Sequence, residues 1–197
     1  VEWRLFPRFT VPPWCRPEFF ADHPWIDPAA QRGHAERTNM VADLVVEVAR
    51  EHDVQAVTDL GCGDGALLAK IRRRNPRLRT WGYDLGRENL YVATALREVD
   101  ARLGNILTTE GLELGDLLVA SEVVEHLYDP RGFITGLPGK LLVLSSPFDE
   151  DDQQHYEHHA WAWDEPGYVE LVEACGWTVK EQRRCDAGFQ TVLAVRS

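Results

Sequence analysis

The 197-residue sequence predicts an α/β fold: a doubly wound, mainly parallel sheet of seven strands with an antiparallel terminal hairpin. Two observations predict it. Short apolar and β-branched runs alternate with amphipathic stretches from residue 29 onward, and a glycine-rich turn joins the first such run to the next amphipathic stretch. In sheets of this kind ligands lie beyond the carboxyl ends of the strands, where strand order reverses.

From about Ala29 to His52, Met40, Leu44, Val45 and Val48 recur at three- and four-residue intervals and predict a helix with one apolar face. Val54–Leu60 reads as a strand, Ala66–Arg74 as a helix, Arg79–Tyr83 as a strand and Arg87–Val99 as a helix. Three further strands are expected at Ala101–Gly104, Leu117–Ser121 and Leu141–Ser145. Asp164–Cys175 predicts a helix with Asp164 as N-cap and Gly176 at the left-handed closing position. Trp177–Arg184 and Gln190–Val195 form the expected hairpin.

The first residues differ in kind. Val1–Ala30 holds six of the eleven prolines and three of the seven tryptophans, a composition that opposes long helices yet is too aromatic for a disordered tail. It predicts an irregular Pro/Trp-rich arm or lid over residues 1–28, packed on a domain spanning 29–197.

Hydrophobic residues make up 44% and charged residues 27%, ordinary for a globular protein. No apolar run approaches the roughly eighteen residues of a membrane span, and the N-terminus lacks a signal-peptide pattern, so a cytoplasmic location without membrane contact is the default expectation. The four cysteines (Cys15, Cys62, Cys175, Cys185) lack metal or scaffold spacing and read as free thiols. The net charge of −11 repels polyanions and disfavours a long nucleic-acid footprint, leaving contact with a single terminal nucleotide open.

Val57-Thr-Asp-Leu-Gly-Cys-Gly-Asp-Gly65 ends the first strand of the alternating series and opens a helix. Its glycines allow a sharp bend and close approach of a ligand. Gly61, Gly63 and Ala66 also satisfy a dinucleotide pattern, which keeps a nicotinamide-dependent oxidoreductase in view. Asp59 separates the two, because a carboxylate before the glycines suits an ammonium or ordered water, not a pyrophosphate. The next strand ends in Tyr83-Asp84, where an acid can accept both hydroxyls of a ribose.

These two motifs resemble those of class I S-adenosylmethionine-dependent methyltransferases, and the order of elements supports the resemblance from Ala29 to Ser197. It implies that Asp59, Gly61 and Gly63 hold the methionine part of S-adenosylmethionine, that Asp84 holds the ribose, and that Asn105, where many members carry Asp, lies near the adenine. His34 and Arg37 could face the cofactor carboxylate or the surface.

Glu122-Val-Val-Glu-His-Leu-Tyr-Asp-Pro130 is similar to a stretch in many small-molecule methyltransferases, where Glu122 ends a strand beside the cofactor and His126 begins the next turn. It also resembles small-RNA methyltransferases that modify the terminal 2′-hydroxyl. That likeness implies a divalent metal (Mg²⁺, Mn²⁺ or Co²⁺) on Glu122, Glu125, His126 and His159, since positions i, i+3 and i+4 share a helical face. Trp161, Trp163 and Asp164 after His159 fit the same layout. His159 and His126 are equally candidates for a catalytic base or for positioning the acceptor. Asp149–Asp152 looks like a cation site or a solvated acidic loop. A methyltransferase acting on O or N of a small-molecule acceptor leads; the alternatives are a metal-dependent RNA 3′-terminal 2′-O-methyltransferase and a non-catalytic cofactor-binding module.

Overall fold

The computed structural model describes residues 3–5, 16–23, 25, 32–148, 150–151 and 156–197. Strand β1 (Trp3–Leu5) and helices α1 (Pro17–Asp22) and α2 (Arg32–Glu51) precede the alternating part. Then come β2 (Ala56–Leu60), α3 (Ala66–Arg74), β3 (Arg79–Asp84) and α4 (Arg87–Tyr91), which runs into a π-helical turn over Val92–Leu96. β4 (Asp100–Leu103), β5 (Leu117–Ser121), a 3₁₀ turn at Val124–His126, α5 (Pro130–Gly136) and β6 (Leu141–Pro147) follow. The chain closes with β7 (Trp161–Trp163), α6 (Glu165–Ala174), β8 (Thr178–Cys185) and β9 (Phe189–Val195).

Seven strands form one sheet in the order β4-β3-β2-β5-β6-β9-β8. The first five are parallel, and β9 pairs antiparallel with both β6 and β8. The predicted sheet and its terminal hairpin are therefore present. After β4 the chain returns to lay β5 on the other side of β2, so strand order reverses between β2 and β5, and a crevice opens at their carboxyl ends.

Both faces of the sheet are buried by the period-two alternation of its strands. Leu117, Val119 and Val143 pack against Val41, Leu44, Val45 and Val48 of α2. Leu118, Ala120, Leu142 and Leu144 face the opposite way, onto Ile134 of α5 and Tyr168 and Leu171 of α6.

Several elements depart from expectation. The 1–28 segment is not wholly irregular: Pro17 stands at the first position of α1, where proline starts a helix instead of breaking one, and β1 pairs antiparallel with β7. The other residues of that arm, Cys15 and the boundary at 28/29 lie outside the described residues. The helix expected over Arg87–Val99 is α-helical only to Tyr91 and ends, after the π-helical turn, at Leu96. Helix α5 was not expected, although Asp129 caps it by accepting from the Gly132 N–H at 2.8 Å and Pro130 takes its first turn. Asp164 caps α6 as expected, accepting from the Gly167 N–H at 2.7 Å. Among the described residues Cys62, Cys175 and Cys185 are free, and no helix is long and apolar enough to cross a membrane.

Gly65 shows how tightly the turn before α3 is constrained. Its φ is +77°, and a Cβ there would stand 2.5 Å from Val99 Cγ2 and 3.0 Å from Ala93 Cβ. Left-handed strain and overpacking together give an expected cost of about 2–4 kcal/mol for Gly65→Ala. A thermal-unfolding scan should show the midpoint lowered by roughly 5 °C or more.

Candidate active site

The carboxyl ends of β2, β3, β5 and β6 open into a cavity of about 730 Å³, roofed by α1 and Trp25 and reached by the loop before β7. Asp59, Gly61, Gly63, Asp84, Asn105, Glu122, His126 and His159, all expected at the site from the sequence, line it; Glu125 lies just beneath.

The glycine turn is bound to the neighbouring strand. Gly61 and Cys62 N–H groups donate to the Tyr83 carbonyl at 2.8 and 3.0 Å, and the Gly63 N–H donates to Asp84 Oδ2 at 2.9 Å. Asp84 Oδ1 accepts from the Gly86 N–H at 2.7 Å and from Asn89 Nδ2 at 3.0 Å. The two sequence motifs are thus one structure. Gly61 is required by packing, because a Cβ there would lie 2.7 Å from Val123 Cγ2. At Gly63 a Cβ would meet only Trp25, at 3.7 Å, so that glycine faces the cavity.

Asp59 is 2% exposed, and its Oδ1 has no hydrogen-bond partner among the described residues. Burial, reinforced by the charge of Asp84 and partly opposed by Arg37, pushes its carboxyl up to about 7. A buried carboxylate without a donor is costly unless a ligand supplies one. An ammonium at this point would meet that need. Arg37 lines the same cavity, with Nη1 3.8 Å from Glu122 Oε2 and Nε without a partner among the described residues. A carboxylate ligand would satisfy it bidentately. His34 also lines the cavity, which places both residues of α2 at the site. Asn105 lies beyond β4, its Oδ1 accepting from the Leu107 N–H at 3.0 Å.

The glutamate–histidine segment bends differently from the helical turn inferred from spacing. Glu122 has a φ of +58°, and only Val124–His126 coil, as 3₁₀. Glu122 therefore leaves the metal set: its Oε1 accepts from Ser145 Oγ at 2.8 Å and its other oxygen faces Arg37. The remaining three, Glu125, His126 and His159, do converge, with one donor atom from each lying within 4.8 Å of the others.

Each histidine is held in one tautomer. A carbonyl can only accept, so His126 Nδ1 donates to the His158 oxygen at 2.9 Å and leaves Nε2 with its lone pair. Burial first, then His159, lowers His126 to about 3, so it stays neutral at physiological pH. His159 Nδ1 lies 2.7 and 2.9 Å from the two oxygens of Glu150 and donates to that carboxylate, leaving Nε2 available. Glu125 is fully buried, neither oxygen has a hydrogen-bond partner among the described residues, and burial together with Glu122 raises its carboxyl well above the usual range.

Glu150 was missed as a functional residue. It is not part of a solvated acidic loop: its side chain is 14% exposed and paired with His159. Asp149 and Asp152 lie outside the described residues. The arm's contribution, Phe19, Phe20 and Trp25 at the cavity wall, carried no signal beyond aromatic composition.

A doubly wound sheet with an antiparallel terminal strand pair and a ligand crevice at an acid–glycine turn is the fold of class I S-adenosylmethionine-dependent methyltransferases, and the similar proteins agree. No protein-family model matches the chain. It is 27% identical over 115 residues to malonyl-[acyl-carrier protein] O-methyltransferase of Hahella chejuensis, covering 54% of this chain and 41% of that protein. It is 27% identical over 155 residues to the probable (S)-tetrahydroprotoberberine N-methyltransferase 2 of Papaver bracteatum, covering 73% and 41%. The chain spans about half the length of the curated relatives it matches. Among solved structures, magnesium protoporphyrin IX methyltransferase of Synechocystis PCC 6803 with bound S-adenosylhomocysteine superposes with a TM-score of 0.68 at 15% identity, covering 89% of this chain and 90% of that one. The methyltransferase domain of bacterial CtHen1-C gives 0.64 at 17%, covering 81% and 98%.

The raised carboxyl of Asp59 has a consequence for stability. Between about pH 4 and 7 the unfolded chain has released a proton that the folded chain retains, so this group's contribution to stability falls as pH rises, by up to about 1.4 kcal/mol per unit. Asp59→Asn removes that dependence. In denaturant titrations without ligand, the variant should gain on the wild type from pH 5 to pH 7; parallel profiles would remove the buried charge from the account.

Proposed function

We propose that the chain binds S-adenosylmethionine in this cavity and transfers its methyl group to an O or N atom of a small-molecule acceptor. The observation that carries this is Asp59: a buried carboxylate with an unpartnered oxygen, beneath a glycine turn and beside a strand-end acid. When bound, the cofactor supplies a methyl group on a sulfonium. Asp59 receives the ammonium and Arg37 the carboxylate of its methionine part. Asp84 meets the ribose with the lone pair on Oδ2 that its contacts with Gly63, Gly86 and Asn89 leave open, and Asn105 stands on the adenine side. Glu122, tied to Ser145 and Arg37, sets the guanidinium beside the methionine end.

On the acceptor side, His159 Nε2 takes a proton from the acceptor while Glu150 holds the ring by Nδ1 and stabilises the cation formed. His126 is too weak a base for that step and acts through its shape and its Nε2 lone pair. Helix α1, Trp25 and Tyr156 exclude water from the cavity. Support for a small acceptor comes from the acidic charge of the chain and from the O- and N-methyltransferases among its relatives.

A second reading, a metal-dependent RNA 3′-terminal 2′-O-methyltransferase, is favoured by the convergence of Glu125, His126 and His159. These donors suit Mg²⁺, Mn²⁺ or Co²⁺, and the ion would acidify a bound hydroxyl.

One set of measurements tests both. S-adenosylhomocysteine should bind in calorimetry, and Asp84→Ala should weaken it more than about tenfold through loss of a charged acceptor and release of the Gly63 turn. With an acceptor in hand, His159→Ala should lower turnover by about 10²–10⁴ without weakening the cofactor, and chelation should change nothing. Unchanged affinity in Asp84→Ala overturns the cofactor site; loss of turnover on chelation, restored by Mn²⁺, transfers the case to the metal reading.

A further inference from the structure

Six aromatic rings on the acceptor side of the cavity form a closed circuit of edge-to-face contacts. Phe19 meets His158 at 5.0 Å, His158 meets Tyr156 at 5.0 Å, and Tyr156 meets His159 at 5.2 Å between ring centres. His159 meets His126 at 4.8 Å, His126 meets Phe20 at 5.4 Å, and Phe20 returns to Phe19 at 5.3 Å. The interplanar angles run from 66° to 90°, and all six rings line the cavity. Three separate pieces of chain build this collar: the arm helix α1, the 3₁₀ turn after β5 and the loop before β7. None of the six belongs to the glycine turn or the strand-end acid.

The surrounding charge is predominantly acidic. Six carboxyl side chains line the cavity against a single guanidinium, Arg37, among the described residues. Asp59 and Asp84 serve the cofactor end, Asp64 pairs with Arg97 and Glu122 is tied to Ser145 and Arg37, which leaves Asp22 and Glu150 toward the collar. Ring faces carry negative potential and attract cations, most strongly where water is excluded. An acceptor bearing phosphate or carboxylate would meet repulsion here. A divalent metal would engage only His126 and His159 of the collar, with Glu125 beneath them, and would leave Phe19 and Phe20 without a role.

We propose that the collar of Phe19, Phe20, His126, Tyr156, His158 and His159 receives an organic ammonium group, so that the acceptor is an amine that binds as its cation. The assignment rests on the methyltransferase reading above and narrows its substrate class. Its nitrogen is the methylated atom, once its proton has left by the route given for His159.

The test uses three probes of one shape on protein saturated with S-adenosylhomocysteine. Choline carries a permanent positive charge, 3,3-dimethylbutan-1-ol none, and 3,3-dimethylbutanoate a negative one. Choline should bind at least about fivefold more tightly than the alcohol, and the anion most weakly, as read by calorimetry or ligand-observed NMR. Phe20→Leu and Tyr156→Leu should each reduce the preference for choline over the alcohol by roughly threefold, the size of one partly exposed ring–cation contact. Retained binding of S-adenosylhomocysteine shows that a variant is folded, and where one variant loses it the other decides. Equal binding of choline and the alcohol overturns the proposal, as does silence from all three probes while S-adenosylhomocysteine binds. Stoichiometric Mn²⁺ that excludes choline also overturns it. Failure of S-adenosylhomocysteine itself to bind is a separate result that removes the underlying methyltransferase reading and this proposal with it.

Discussion

A carboxyl group taken out of water at the end of β2 sets the terms for the rest of the molecule. Asp59 sits at the reversal of strand order, below a turn whose backbone is tied to β3 through Tyr83 and Asp84. Those ties hold the turn at left-handed dihedrals that only glycine adopts without strain, and Gly61 and Gly65 leave no room for a Cβ. The sheet fixes the position of the carboxylate while the tied turn withholds a donor from it. The cost is carried by the core on both faces of the sheet, and a cation docked against the carboxylate would relieve it.

The other half of the cavity follows a different rule. Its groups come from loops and from the arm, and each is oriented by a neighbour that saturates one of its two ends. The His158 carbonyl fixes His126, and Glu150 fixes His159. In the proposed function the strand ends hold the cofactor, and the loops supply a shaped, acidic and aromatic wall for the acceptor.

Much of the first half was legible in the sequence. Glycine spacing, the acid before it and the acid at the next strand end report local backbone geometry, and the sheet brings them together as expected. Strand limits fell within two residues because period-two burial on both faces is a strong signal, as at Leu117–Ser121. The second half was legible only in part. Glu122 looked like a ligand because spacing was converted to geometry through an α-helical turn, whereas the chain adopts φ +58° there and turns the carboxylate to Ser145. Glu150 was hidden among four consecutive acids, and its pairing with His159 depends on a loop path that no periodicity encodes. Helix α5 is too short for a periodic signal, though Asp129-Pro130 carried its cap. The closed ring circuit joins residues from 19 to 159, a contact pattern set by tertiary placement alone.

Proton release on ligand binding tests the central claim most directly. Calorimetric titration of S-adenosylhomocysteine at pH 6.5, in buffers of differing ionisation enthalpy, counts the protons exchanged per ligand bound. A carboxyl held at about 7 in the free protein is largely protonated at that pH and ionises when an ammonium docks, so a substantial fraction of a proton is released, and Asp59→Asn abolishes that release. Binding with no proton released, or with the same release in Asp59→Asn, would contradict a buried carboxyl awaiting its cation.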